Sequence, residues 1–342
     1  VPQVTDIALD ARLTRQMSVG MKAYAAELAA RLPRVAPDLR FSVLSHGQNF
    51  SSDEQIGMPL ALRRMRPRFT HFLSVYAPVL APGPFAITIH DLIHLRYPAF
   101  FKKKVGLYYQ TVVRAVCARA ARVITDDERT VDDLKRFLGV PREKIRVIPL
   151  GCDDAYLCTI VPERAARPFF LYAGNHREHK DLPTLLAAWA ALPPDLSVDL
   201  YLTGEDDLSP EQRVTRVRGD IRFLGDVGVE RLAGLYAACA ALVHPALCEG
   251  FGLPMLEAGA AGARVIACED AVPTVLRPYV ACFAAHDVAG LRALMERALA
   301  GGEAERGART ALREASRALT WDRCAVATAE AYRDVLEEYS RR

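Results

Sequence analysis

Short apolar runs of strand length alternate with longer segments of helical period along almost the whole chain, and the alternation lapses near residue 150 and resumes near 168. No other feature narrows the fold as far. Strands that each require a helix-length return predict parallel sheets with helices packed on both faces. In the first half, strands are expected near 4–9, 41–45, 71–75, 85–90, 122–125 and 145–149, and helices near 20–32, 101–121 and 129–138. Gly151, Pro162 and Pro168 then surround the charged Glu163-Arg164 pair, which is the composition of a linker. Strands are expected again near 168–173, 197–203, 220–223, 240–244 and 263–267, with helices near 181–192, 229–238, 254–261 and 287–300. The fold class is therefore α/β, with two doubly wound domains at 1–155 and 168–318 and a remainder at 319–342. Ligands in such sheets sit beyond the carboxyl ends of the strands.

Length agrees: 342 residues, 51% hydrophobic and 25% charged, exceed what one core comfortably holds. No apolar run approaches the roughly 20 residues that span a bilayer. Val1-Pro2-Gln3-Val4 lacks a basic flank followed by an apolar stretch, so no signal peptide is expected. The eight cysteines form no C-x-x-C pair, which suits free thiols in a reducing cytoplasm. Cys248 has no evident base and is not expected to act as a nucleophile. No metal site is expected, because D-x-D and Cys/His ligand spacings are absent and His176 and His179 lack partners in sequence. Net charge is +3, yet residues 1–160 carry eight more basic than acidic side chains, whereas the rest carry five fewer. An anionic partner for the first half follows. Nucleic acid is disfavoured, since no recognised binding module accompanies that modest charge.

The most informative stretch is His244-Pro-Ala-Leu-Cys-Glu249-Gly-Phe-Gly-Leu-Pro254-Met-Leu-Glu257. A strand ending at His244 runs into a glycine-bearing loop, and Pro254 suits the first position of a helix. The amides of Gly250, Phe251, Gly252 and Leu253 then stand at a helix N-terminus, where they can cradle an anion. Gly250 and Gly252 let the main chain approach a ligand closely. Glu249 precedes the helix and Glu257 lies one turn inside it, so two carboxylates bracket the anion site. One could hold ribose hydroxyls and the other lie beside a sugar bearing partial positive charge. The plainer reading makes Glu249 a solvated loop residue and Glu257 an acid favoured by the helix dipole; the intervening Gly-Phe-Gly-Leu-Pro favours the functional one.

The spacing of Glu249 and Glu257 resembles the E-x7-E signature of retaining GT-B glycosyltransferases of family 4. Ile7 to Asp10 followed by Gly20-Met-Lys-Ala-Tyr24 is similar to that family's opening strand, glycine loop and first helix. Thr88-Ile-His90-Asp91-Leu92 resembles its histidine strand end, and Lys144 to Gly151 the close of its first domain. Phe170 to Gly174, Lys180-Asp-Leu-Pro, and Trp321 onward resemble the second domain's opening and the last helix.

The resemblance implies a GT-B fold: two Rossmann-like domains facing across a cleft, with a helix at 319–342 crossing back to the first. It implies a metal-independent, cofactor-free, retaining transfer of a hexose from a nucleotide diphosphate sugar, GDP-mannose ahead of a UDP-sugar, to a glycan or lipid-linked acceptor. The amides of Gly250 to Leu253 and Lys180 would hold the diphosphate, with Glu257 on the ribose. Glu249 and His90 would lie near the donor sugar, and Gly20 would open the first helix to the phosphates. A cytoplasmic enzyme, peripheral at the inner face of the cell membrane, is expected. The plainer readings leave His90 satisfied by the backbone and Lys180 solvated at a helix start. Departures from the pattern, Asn175 after Gly174, Glu178-His179 before Lys180, Lys22 and Thr274, bear on donor affinity and identity, and Arg177 is a candidate for the missing positive charge. A catalytically silent sugar-nucleotide-binding scaffold and a GT-B epimerase are the alternatives.

Two basic clusters in the first half complete the reading. One is Arg63-Arg64-Met-Arg66-Pro-Arg68; the other is Phe100-Phe101-Lys102-Lys103-Lys104 with Leu107-Tyr108-Tyr109. Segments 63–68 and 100–109 are expected either to meet an anionic membrane surface together or to be ordinary solvated faces.

Overall fold

The computed structural model describes residues 5–12, 17–45, 51–209 and 217–341; the opening segment, with Val4 of the expected first strand, lies outside them. The chain divides into two compact units, Val1–Gly151 with Trp321–Arg342, and Cys152–Thr320. The division falls ahead of the Pro-bearing stretch expected as linker. That stretch packs on the second unit, where Cys152 donates to the Leu319 carbonyl and Glu163 to that of Gly234, both at 2.9 Å.

In the first unit the order is β1 (Ile7–Asp10), α1 (Val19–Val35), β2 (Phe41–Leu44), α2 (Met58–Met65), β3 (Phe69–Phe72) and β4 (Phe85–Thr88). There follow α3 (Ile93–Arg96), α4 (Lys103–Tyr108), α5 (Arg114–Arg119), β5 (Arg122–Thr125), α6 (Glu128–Asp133) and β6 (Ile145–Val147). A π turn at Tyr109–Val113 joins α4 to α5, so the helix expected over 101–121 is realised with a local bulge. All six strands run parallel in the order β2-β1-β3-β4-β5-β6. β1, β3 and β4 are buried along their whole length, which is why they read as continuous rather than alternating apolar runs.

The second unit repeats the plan with β7 (Phe169–Tyr172), α7 (Leu182–Ala190), β8 (Asp199–Leu202), β9 (Ile221–Phe223), α8 (Val229–Ala238) and β10 (Ala241–His244). It continues with α9 (Leu253–Ala260), β11 (Val265–Cys268), β12 (Ala281–Phe283), α10 (Val288–Ala300) and α11 (Glu303–Arg317). Its sheet order is β12-β11-β10-β7-β8-β9, again parallel. The strand order reverses direction at β7 and β10, and the loop after β10 leaves from that switch point. α2, α3, β12 and α11 have no counterpart among the elements expected from the sequence.

The last helix, α12 (Trp321–Ser340), belongs to the first unit. Trp321, Cys324, Ala325, Thr328, Ala329, Tyr332, Val335 and Leu336 are buried at helical spacing, a stripe one face wide. Each large side chain so buried contributes about 1.5–3 kcal/mol. The Tyr332 hydroxyl lies 2.6 Å from His71 Nδ1, and His71 Nε2 lies 2.8 Å from Thr88 Oγ1, which also meets the Tyr24 hydroxyl at 2.9 Å. Burial pushes His71 down to about 3, so this network is neutral at ordinary pH.

Candidate active site

β10 ends at His244 and α9 begins at Leu253, with Pro254 in its first turn as the sequence suggests. Between them the chain turns through Gly252 at φ 79°, a left-handed conformation in which a side chain is strained. A Cβ there would also crowd Met255 Cε. The helix is seated by Gly259, whose missing side chain lets Ser316 and Leu312 of α11 approach. Phe251 is buried, so its ring belongs to the core and only its backbone is available to a ligand. Leu253 and Gly250 are half-buried.

Lys180 enters from another element. It closes a single 3₁₀ turn, Glu178–Lys180, and α7 starts two residues later. The plainer reading of Lys180 as solvated at the start of this helix does not hold: Asp181, at φ 47°, caps α7, and the lysine side chain is only 12% exposed. Leu247 donates to the His179 carbonyl at 2.9 Å, tying this turn to the loop after β10. Across that tie Lys180 Nζ ion-pairs with Glu249 Oε1, and His244 Nε2 reaches the same oxygen at 2.8 Å. Burial opposes ionisation of Glu249, but Lys180 and His244 outweigh it and hold the carboxyl well below its usual range.

Glu257 has different company. The Tyr236 hydroxyl stands 3.5 Å from its Oε2, and Tyr156 also faces it. Burial first, then the neighbouring Asp153 carboxylate, push Glu257 up to about 7. The two carboxylates of the motif therefore differ sharply: one is firmly ionised, the other half-ionised at neutral pH. The plain reading of Glu257 as a solvated first-turn acid does not fit that burial. Arg177 is exposed, and its guanidinium makes no ion pair with the Lys180–Glu249–His244 cluster. His176, which has no evident partner in sequence, is held by Asp207 at 2.6 Å and the Thr203 carbonyl at 2.9 Å.

In the first unit His90 follows β4 and Asp126 follows β5. The pairing of Thr88 with Ile124 sets them side by side, and His90 Nδ1 lies 2.6 Å from Asp126 Oδ2. The ring is not satisfied by backbone alone. Burial would lower its pKa, but Asp126 and then Asp91 raise it above the ordinary histidine value. The Tyr24 ring meets His90 edge-on at 4.7 Å, and Nε2 is buried with no hydrogen-bond partner among the described residues. Gly20 lies half-buried in the first turn of α1, where Ser18 caps the Met21 amide at 3.3 Å.

The two basic clusters do not share a surface. Arg63 and Arg64 end α2, and Arg68, immediately before β3, pairs with Asp6 ahead of β1, which is the amino edge of the sheet. Lys102, Lys103 and Lys104 begin a helix that runs to β5, which places them toward the carboxyl edge. The helical run from Lys103 to Arg119 that returns from one edge to the other is about 25 Å long. Phe100 and Phe101 are half-buried, and Phe101 packs on His94 at 4.2 Å. Leu107, 61% exposed, stands beside the lysines instead.

The sequence model for Glycosyltransferase Family 4 matches residues 19–156, and that for Glycosyl transferases group 1 matches 167–300. Together they take in both units. The chain belongs to glycosyltransferase family 4. O-antigen chain mannosyltransferase B of Escherichia coli is 31% identical over 196 residues, 52% of this chain and 51% of that protein. The chain spans about half the length of the curated relatives it matches. Among solved structures, a sucrose-phosphate synthase from Thermosynechococcus elongatus superposes with TM-score 0.74 at 21% identity, covering 98% of this chain and 100% of that one. Anabaena HepE, solved in complex with UDP and glucose, gives TM-score 0.71 at 16% identity, covering 96% and 99%. This family member therefore has the GT-B fold, built from two doubly wound units. Among the described residues no helix is long and apolar enough to cross a membrane.

Proposed function

We propose that this chain transfers a hexose, with retention of configuration, from a nucleotide diphosphate sugar to a glycan or lipid-linked acceptor. The single observation that carries the reading is Lys180 paired to Glu249 beside the open N-terminus of α9. Lys180 is a point charge with three donors, so one can hold Glu249 while others meet a phosphate oxygen. Its charge, with the α9 amides, offsets the negative charge that accumulates on the diphosphate as the bond from sugar C1 to phosphate oxygen breaks. The acceptor oxygen forms the new bond to C1, and its proton passes to the departing diphosphate. Because the protein supplies this neutralisation, turnover is expected to survive EDTA. Loss of turnover on chelation, restored by Mg²⁺, would sink that part of the proposal.

Mannose is favoured as the transferred sugar because the relative from Escherichia coli is named a mannosyltransferase. Thermal-shift titration with GDP and UDP, followed by hydrolysis assays on GDP-mannose and UDP-glucose, tests the reading. A diphosphate at about 100 times its Kd adds about 2.7 kcal/mol of stability. Binding with neither hydrolysis nor transfer would favour a silent sugar-nucleotide-binding protein.

We further propose that the acceptor is reached at a membrane surface through Lys102, Lys103, Lys104 and Leu107. An exposed apolar side chain beside three cations suits an anionic bilayer. The 63–68 segment has no part in this, since it lies at the opposite edge of the sheet.

A further inference from the structure

We infer that His244 is a positioning residue for Glu249, fixing one carboxylate oxygen so that the other faces the transferred sugar; this rests on the glycosyltransferase reading above. His244 is fully buried at the end of β10, where its pairing with Ala267 of β11 fixes the backbone. Its Nε2 and Lys180 Nζ converge on the same atom, Glu249 Oε1. Glu249 Oε2 has no hydrogen-bond partner among the described residues, and the side chain is 15% exposed. A carboxylate with both donors on one oxygen has lost its rotational freedom, and its second oxygen has one direction left to face.

The two donors differ in kind. Lys180 is a flexible cation whose three donors are shared between Glu249 and the diphosphate, so it fixes the carboxylate only loosely. His244 is rigid, wholly enclosed, and has no other hydrogen-bond partner among the described residues: its Nδ1 is buried without one. An ionised Glu249 accepts only from an N–H, so the imidazole carries its proton on Nε2. His244 therefore keeps Glu249 aimed while Lys180 divides its donors between the carboxylate and the phosphates. Its loss should leave diphosphate binding intact and misdirect the carboxylate at the sugar.

The test separates the free diphosphate from the intact donor. His244→Asn and His244→Gln are compared with wild type for calorimetric binding of GDP and GDP-mannose, or UDP and UDP-glucose, and for turnover. Gln places its amide N–H about where Nε2 stands; Asn falls short. Expected for His244→Asn is diphosphate affinity within about twofold of wild type, with kcat reduced about tenfold or more, largely restored in His244→Gln. Equal losses for diphosphate and donor in both variants would show a merely structural histidine and overturn the inference. So would full turnover in His244→Asn. If the wild-type protein turns over no nucleotide sugar, the glycosyltransferase reading has failed rather than this geometry. The tautomer then decides: ¹⁵N shifts showing the proton on Nδ1 would refute the bond to Glu249.

Discussion

Glu257 offers a test in which pH alone is the perturbation. Burial and Asp153 raise its carboxyl to about 7, so the ionised fraction climbs from about one tenth at pH 6 to about nine tenths at pH 8. If Glu257 holds the ribose, as the family resemblance implies, the ionised form should hold its hydroxyls appreciably tighter, because a hydrogen bond to a charged acceptor is worth ~1.5–3 kcal/mol against ~0.5–1.5 for a neutral one. If only that form binds well, affinity for the nucleoside diphosphate rises up to about tenfold over this range, about 1.4 kcal/mol. Binding at pH 7 should also release up to about half a proton. Calorimetry in buffers of different ionisation enthalpy counts that proton. The diphosphate's own last ionisation adds slope of the same sign, so the comparison is with Glu257→Gln, which hydrogen-bonds but cannot ionise. Equal slopes in the two proteins, or proton uptake by wild type, would refute the argument.

The same shift predicts a stability signature. The folded carboxyl lies above its ordinary value of 4.5, so the folded state holds the extra proton between the two values. The contribution is full below about 4.5 and is lost as pH rises through about 7. Chemical denaturation should therefore show Glu257→Gln gaining stability relative to wild type from pH 5 to pH 8.

Other consequences follow from single contacts. Gly252→Ala should cost about 1–2 kcal/mol in denaturant unfolding, because φ 79° strains any side chain; an unchanged midpoint would mean the loop relaxes. Asp126→Ala should drop the His90 pKa below its ordinary value of 6.5, since burial then loses its main opponent, and NMR titration of the ring reads it. Lys102, Lys103 and Lys104 changed together to Glu should abolish sedimentation with anionic vesicles at low salt, each cation being worth about 1 kcal/mol near the surface. Arg63→Glu with Arg64→Glu should leave sedimentation unchanged, being at the other edge of the sheet.

What the sequence shows and what it hides divide along physical lines. Strand and helix periods are local, so the two parallel sheets were legible; so was the loop before α9, because its glycines, Pro254 and two glutamates fall within fourteen residues. α11 escaped notice because its buried face is partly polar: Glu305 lies against Arg264 and Arg297 at 2.8 Å, and Ser316 against Gly259, so no apolar stripe marks it. The partners of the site residues were hidden for a different reason. Asp126 is 36 residues from His90 and meets it only because β4 and β5 pair. Asp153 and Tyr156, which set the ionisation of Glu257, come from the stretch that composition marks as linker. Even His244, five residues from Glu249, gives no sign in sequence of which way its ring turns. Hydrophobic period reports which face an element buries, whereas the protonation of a carboxylate depends on what neighbouring strands bring beside it. Glu249 and Glu257 look alike as a motif and become chemically opposite only once folded.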